Sequence, residues 1–217
     1  RYFQDMGSYA WAAPYVDLLY EAGVITGTGG QRYRPADAVS RGDFMLMLYR
    51  AFQLTPASGA GFPDVPPGSY YAQAIQAARA AGIASGYPDG GFHPQEPVTR
   101  QDAMVLLERT MQATGWSLGA ANTGYLSGFR DGGMVAPYAQ EAMSHMIEYG
   151  IITGTPEQKL NMEYFSEEDG KKWLDWFWDI CSKNSKVIID TNDPEGDNET
   201  ERFAIANGIP KSEIPVR

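Results

Sequence analysis

The sequence is short of the residues that build disulfides and metal sites. Cys181 is the only cysteine, and His93 and His145 are the only histidines among 217 residues. An intrachain disulfide and a cysteine-based zinc site are therefore excluded, and a histidine-based metal site is disfavoured. The sequence predicts no cofactor and no bound metal.

Long apolar runs and an excess of basic charge are also missing. No run approaches the roughly 18 apolar residues that cross a bilayer, so no membrane span is predicted. The net charge is −10, and most of it lies in residues 163–201, which hold 12 acidic and 4 basic side chains. Nucleic-acid binding needs a basic face and is not predicted. The chain opens at Arg1, directly before a motif and without a signal peptide, which predicts a mature or excised fragment.

One short motif occurs twice, 59 residues apart. Residues 39–43 read VSRGD and residues 98–102 read VTRQD, and an apolar helical run follows each copy. Ser40 and Thr99 are predicted N-caps, because a hydroxyl can accept a hydrogen bond from an amide of the first turn. The acidic residue three positions later is predicted to reach back to the amide of the cap residue, as in a capping box.

The arginine inside this motif is the residue that points to a function. Arg41 and Arg100 lie in the first helical turn, where the helix macrodipole disfavours a cation. A solvated arginine is the structural alternative. The same placement in two copies favours a binding role. Since neither arginine caps its helix, its replacement is expected to leave the fold intact.

The motif belongs to a longer internal repeat. Asp5 and Asp64 open the first two copies, and Gly27 and Gly86 occupy equivalent turns, all at the same 59-residue offset. A single helix pair of this kind cannot bury its apolar face alone, so the copies are expected to stack. The boundaries predicted are 1–58, 59–118 and 119–184 for three repeats, with 185–217 as a tail or linker.

The third repeat is degenerate in its second half. It opens at Phe129, and Ser166 occupies the position of the N-cap, but Glu167 stands where the arginine stood. An aromatic helix with Trp173, Trp176 and neighbouring rings is predicted to follow. The arginine-type site of this repeat is expected to be inactive, because a carboxylate repels an anionic ligand.

These features, in this order, resemble the S-layer homology (SLH) domain over residues 3–184. The resemblance implies a mainly α fold, in which three helix-loop-helix repeats form a pseudo-threefold spindle, followed here by an acidic C-terminal tail. It also implies a non-catalytic module that anchors exported proteins to a secondary cell-wall polysaccharide, often one with pyruvylated N-acetylmannosamine. The location implied is extracellular, at the bacterial cell surface.

The resemblance also implies the site residues. In the family the arginine of the cap motif is implicated in binding the acidic sugar, and a guanidinium can pair with a ketal carboxylate bidentately. Aromatic faces can pack against the sugar ring, and free amides of the second helix and the glycine corner add donors. The residues predicted to line the ligand site are Arg41, Arg100, Ser40, Thr99, Trp11, Tyr70, Gly27 and Gly86.

Each of the other positions has a purely structural alternative. Trp11 and Tyr70 fall at helical spacing and fit a core equally well. Gly27 and Gly86 need only be turn glycines. Asp5 and Asp64 are interpreted as N-caps rather than ligands.

Two other functions compete with saccharide binding. A protein-interaction or assembly module would use the acidic, tryptophan-rich third repeat and have surface proteins as partners. An enzyme is disfavoured, because the sequence contains no nucleophile-base pairing, metal spacing or phosphate loop.

Overall fold

Five α-helices carry the three repeats in the computed structural model, which describes residues 2–162. They are α1 (Ala13–Glu21), α2 (Arg41–Ala51), α3 (Ala72–Ala80), α4 (Arg100–Ala113) and α5 (Gln140–Glu148). Short 3-10 turns precede α1 and α5, and another spans Thr123–Gly128. Within these residues there is no strand, only an isolated antiparallel bridge between Ser40 and Pro97. The mainly α fold expected from the sequence is confirmed.

The two helices of a repeat have different roles. The second helices, α2 and α4, pack against each other, while α3 packs on α2 and α5 packs on α4. The first helices of the second and third repeats therefore lie against the second helix of the preceding repeat. Residues such as Leu48, Met104 and Met143 are fully buried in the shared core. The repeats stack, as expected from the inability of one helix pair to cover its own apolar face.

An aspartate at the start of each repeat holds the loop between its helices. Asp5 accepts hydrogen bonds from the backbone amides of Tyr33 and Arg34, at 2.9 and 2.8 Å. Asp64 and Asp131 accept the equivalent bonds from Phe92 and His93 and from Leu160 and Asn161, respectively. The amide bonds hold the pKa of Asp5 below its usual value.

The interpretation of Asp5 and Asp64 as N-caps is therefore wrong. Helix α1 begins at Ala13 and α3 at Ala72, eight residues beyond each aspartate, and neither helix has a side-chain cap. The carboxylates satisfy two loop amides some 28 residues further along the chain instead. The aspartate is thus the clamp that fixes the loop of its own repeat.

Several predictions lie outside the described residues. They are the Ser166 cap, the Glu167 substitution, the aromatic helix with Trp173 and Trp176, and the tail 185–217. Each stays a prediction.

Candidate functional site

The two predicted cap residues begin their helices as expected. Ser40 and Thr99 have extended backbone angles, and each side-chain oxygen accepts from the amide three residues later, at 3.0 Å for Asp43 and 3.2 Å for Asp102. The predicted return bond differs, because the carboxylate of Asp43 accepts from the Ser40 hydroxyl at 2.7 Å. Both caps are half-buried, so they lie at the margin of the site.

The remaining amides at the start of α2 are occupied by the second repeat. The Arg41 amide donates to the Glu96 carbonyl and the Gly42 amide to the Pro94 carbonyl, both at 2.8 Å. At the start of α4, the Arg100 amide donates to the Met162 carbonyl at 2.9 Å. The expectation that these amides are free for a ligand is therefore wrong. They fasten the loop of the next repeat to the helix.

Both motif arginines are buried. Arg41 is 8% exposed and Arg100 is 0% exposed, whereas a first-turn arginine with no partner would extend into water. A guanidinium of Arg100 donates to the backbone carbonyl of Leu160, in the loop of the third repeat. Their burial removes the basis for expecting that either can be replaced without loss of stability.

Arg41 reaches into the second repeat. Its Nη1 donates to a carboxylate oxygen of Asp102 at 3.2 Å, and both side chains are 10% exposed. The guanidinium carbon lies 4.8 Å from the ring centroids of Tyr87 and Phe92, within the range of cation–π attraction. Nε has no hydrogen-bond partner among the described residues. The guanidinium is therefore held in one orientation, with its Nε buried and unpaired within the described residues.

Asp102 is the centre of a cluster that spans all three repeats. Besides Arg41 of the first repeat, it accepts from the hydroxyl of Tyr87 at 2.8 Å and from that of Tyr138, in the third repeat, at 2.6 Å. Burial and the bond to Asp102 raise the pKa of Tyr87 to about 12. The same two causes raise the pKa of Tyr138. We call these four side chains the Asp102 cluster.

A simpler version lies between the first and second repeats. Tyr70, at the position equivalent to Tyr138, donates to Asp43 at 2.6 Å. Its ring is 67% exposed, so it is not a core residue. Burial of its hydroxyl end and the bond to Asp43 raise the pKa of Tyr70 to about 12. The structure thus places Tyr70 on the surface at the junction of the first two repeats, next to Asp43 and its cap residue Ser40.

The two glycines predicted for the site occupy tightly packed turns of the first two repeats. Gly27 and Gly86 have φ of +72° and +79°, which only glycine adopts freely. A Cβ added at Gly27 would lie 2.4 Å from the Phe3 ring, and one at Gly86 would lie 2.6 Å from the Phe62 ring. These positions require glycine for packing.

Trp11, at the position equivalent to Tyr70 and Tyr138, is half-buried and packs against the core. Its indole Nε1 finds no hydrogen-bond partner within residues 2–162. The side chain therefore combines a core face with an unused donor, and it is not brought together with the Asp102 cluster by any described contact.

Three site residues were not predicted from the sequence: Asp102, Tyr87 and Tyr138. Asp102 was interpreted only as part of a capping box. Tyr138 aligns with Tyr70 when the third repeat is registered on Gly150 against Gly82, because each tyrosine lies 12 residues before its glycine. That alignment is the signal that could have identified it.

Comparison with known proteins identifies the repeat. The sequence model of the S-layer homology domain matches residues 2–45, 61–104 and 128–161, together more than half of the chain. The chain belongs to the S-layer homology domain family. The three matches reproduce the three SLH repeats expected from the sequence.

Relatives of the chain include enzymes and surface proteins. An endoglucanase of Bacillus sp. (strain KSM-635) is 30% identical over 182 residues, covering 83% of this chain and 19% of that protein. The surface-layer 125 kDa protein of Lysinibacillus sphaericus is 29% identical over 153 residues, 70% of this chain and 12% of that protein. The outer membrane protein SlpA of Thermus thermophilus is 43% identical over 53 residues, 24% of this chain and 6% of that protein.

The chain thus spans about a fifth or less of these relatives. The SLH domain is a non-catalytic anchoring module, and the match supports the same role at a cell surface for this chain. Among residues 2–162, no helix is long and apolar enough to cross a membrane, and no group of acidic, histidine or cysteine side chains is arranged to hold a metal ion.

Proposed function

We propose that this chain anchors its parent protein to the bacterial cell wall by binding an acidic, pyruvylated secondary cell-wall polysaccharide in the grooves between repeats. The observation that carries the proposal is the Tyr138 ring, 55% exposed, beside the Arg41–Asp102 pair at a repeat junction. Exposed aromatic faces bind sugar rings, and a nearby guanidinium supplies the charge that a ketal carboxylate requires.

The charge of the whole chain supports short-range recognition. A net charge of −10 repels an acidic polymer at long range, so affinity must come from contacts within a few ångströms. The Arg41 side chain keeps 10% of its surface exposed, and this edge is a cationic contact of this kind within the described residues. A carboxylate that approaches the exposed edge of Arg41 gains a charge-assisted bond without displacing Asp102.

The role proposed for Arg100 in saccharide binding differs from that of Arg41. It is fully buried and donates to the Leu160 carbonyl, so a saccharide reaches its guanidinium only if that loop moves. We propose that Arg41 contacts the ligand directly, and that Arg100 contributes to the neighbouring groove by holding the loop of the third repeat. Tyr70 and Trp11 are the proposed aromatic faces of the other grooves, with Ser40, Thr99, Gly27 and Gly86 as the backbone frame.

A calorimetric titration tests the proposal. The 217-residue chain is titrated with a methyl glycoside of pyruvylated N-acetylmannosamine and, separately, with the same glycoside lacking pyruvate. Binding of the first and loss of binding to the second are expected. Tyr138→Ala should weaken affinity about tenfold, equal to about 1.4 kcal/mol. Tyr125→Ala, at another exposed ring of the third repeat, is the matched control and should bind as the parent does.

A pull-down on purified cell-wall sacculi addresses the natural polymer. Retention should be lost when the secondary polysaccharide is removed. Retention that ignores its removal would favour the alternative, a protein-interaction or assembly module, for which the similarity to a surface-layer protein is the supporting observation. Native mass spectrometry with the same glycoside should count at most two saccharides per chain, and a third of equal affinity would contradict the role given to Glu167.

A further inference from the structure

The Asp102 carboxylate is the one place in residues 2–162 where side chains from all three repeats meet on a single group. It accepts from Arg41 at 3.2 Å, from Tyr87 at 2.8 Å and from Tyr138 at 2.6 Å. The residue is 8% exposed, although its partner Tyr138 remains on the surface. A buried carboxylate with three donors is fully engaged, so it fixes the positions of those donors.

The backbone around Asp102 joins the same three repeats. The loop that follows Phe92 carries the Glu96 carbonyl that accepts from the Arg41 amide. On the other side, the Gln101 side chain accepts from the Ala136 amide of the third repeat at 3.1 Å. The region around the start of α4 is therefore hydrogen-bonded to the first repeat on one side and to the third on the other.

We infer that Asp102 is a positioning residue for saccharide binding, because it holds the Arg41 guanidinium of the first repeat and the Tyr138 hydroxyl of the third in one groove. This inference rests on the proposed function. It assigns to Asp102 a role through Arg41 and Tyr138 and requires no contact with the ligand. The groove at Tyr138 is then a site made by three repeats rather than by two neighbours.

The inference and simple electrostatics predict opposite changes in saccharide affinity when the Asp102 charge is removed. Removal of a carboxylate near an anionic ligand should raise affinity by Coulomb's law. In the structure, however, removal of the Asp102 charge releases Arg41 and the two tyrosines. In Asp102→Asn, one carboxylate oxygen is replaced by an NH₂ group, which is itself a donor. The three donors of Arg41, Tyr87 and Tyr138 then cannot all keep their present hydrogen bonds. Affinity should therefore fall.

The test compares Asp102→Asn with Asp37→Asn in the full chain. The probe is the pyruvylated N-acetylmannosamine methyl glycoside, measured by calorimetry at the groove identified with Tyr138→Ala. Asp102→Asn should weaken binding about tenfold, as expected when a hydrogen bond to a charged group is lost. Asp37 is an exposed carboxylate of the first repeat whose described ion pair is with Arg34, at 3.7 Å and outside the Asp102 cluster, so Asp37→Asn should change affinity less than about twofold.

A double-mutant cycle separates positioning from a general structural role. Tyr138→Phe keeps the exposed ring and removes only the hydroxyl, so it folds even if Asp102→Asn does not. It should weaken binding in the parent chain and have no further effect in the Asp102→Asn background. Additive losses would overturn the inference, because they would mean that the two residues act separately.

Tyrosine titration supplies the readout that destabilisation alone does not move. The ¹³C signal of Tyr138 should titrate at lower pH in folded Asp102→Asn than in the parent, because burial and the bond to the Asp102 carboxylate both raise its pKa and the variant removes the second cause. An unchanged titration, or an affinity equal to or above that of the parent, would overturn the inference while saccharide binding by the parent chain stands. If the parent chain itself does not bind the probe, the proposed function fails first, and the inference fails with it.

Discussion

The junction between repeats one and two and the junction between repeats two and three have the same hydrogen bond in different surroundings. Tyr70 donates to Asp43, and Tyr138 donates to Asp102, both at 2.6 Å. Asp43 is half-buried and its other side-chain partner is the hydroxyl of its own cap, Ser40. Asp102 is buried and accepts in addition from Arg41 of the preceding repeat.

The difference shows where the arginine of the motif acts. Arg41 stands two positions before Asp43 in the chain, yet it bonds to Asp102, 61 residues away. The arginine of the first repeat therefore forms an ion pair with the aspartate of the second. Within residues 2–162, no cation pairs with Asp43. Local similarity of two motifs does not imply two equal sites.

The largest expected effect comes from removal of the cation at the second junction. Arg41→Met leaves Asp102 charged and largely buried, which should lower the free energy of unfolding by about 3 kcal/mol. Arg34→Met is the control, because Arg34 pairs with Asp37 at 3.7 Å on the surface, where an ion pair contributes roughly 0–1 kcal/mol. Urea denaturation at neutral pH measures both. Similar values for the two variants would show that the buried pair contributes no more than a surface one.

The next effect concerns the contact of α2 with the loop of the second repeat. A Cβ at Gly42 would lie 2.9 Å from the Pro94 carbonyl oxygen and 3.1 Å from the Tyr71 ring. Gly42→Ala should therefore cost about 1–3 kcal/mol through forced separation. The equivalent position in the second repeat is Gln101, where Gln101→Ala loses only the bond from the Ala136 amide, about 1 kcal/mol.

Thermal and urea denaturation of both variants sharpen the comparison of the junctions. A larger loss for Gly42→Ala than for Gln101→Ala would agree with a backbone contact at the first junction and a side-chain contact at the second. The reverse order would mean that the loop at Pro94 moves aside without strain.

A smaller effect is expected from the two caps. Ser40→Ala and Thr99→Ala each remove one bond to a first-turn amide and should lower the free energy of unfolding by about 1 kcal/mol. Saccharide affinity should change little, because the caps lie at the margin of the grooves. Denaturation and calorimetry on the same samples provide the check. Unchanged stability with lost binding would identify the hydroxyls as ligand contacts.

Local chemistry explains which features were predictable. A hydroxyl followed three residues later by an acid predicts a helix start wherever it occurs, so Ser40 and Thr99 were found from the sequence. The fixed offset of 59 residues between the first two repeats, and the return of the same features from Phe129 onward, likewise predicted three stacked repeats and their helical class. These inferences need only neighbouring residues or self-similarity.

The cluster was not predictable because its partners are distant in sequence. Nothing within the motif indicates that Arg41 turns away from Asp43 and packs between Tyr87 and Phe92. The role of Asp5 was missed for the same reason, since its carboxylate serves amides 28 and 29 residues away. The burial of Arg41 and Arg100 depends on the loop of the following repeat. The position of that loop is set by how the repeats pack, which the motif alone does not indicate.

The smallest expected effect is a loss of stability at high pH, which involves both junctions. The usual tyrosine pKa is 10, and Tyr70 and Tyr87 have pKa values raised to about 12 in the folded chain. A raised folded-state pKa contributes stability that is fully present below pH 10 and is lost as the pH rises from 10 to 12. The free energy of unfolding should therefore decline across that interval.

Paired variants assign this decline to the two junctions. Tyr70→Phe removes the titrating hydroxyl beside Asp43, and Tyr138→Phe removes one beside Asp102, so each should flatten the decline. The double variant should be flatter than either single variant, because the hydroxyls titrate against different carboxylates. Urea denaturation at intervals between pH 9 and 12 gives the slopes. A double variant as steep as the parent would show that neither tyrosine contributes to the decline.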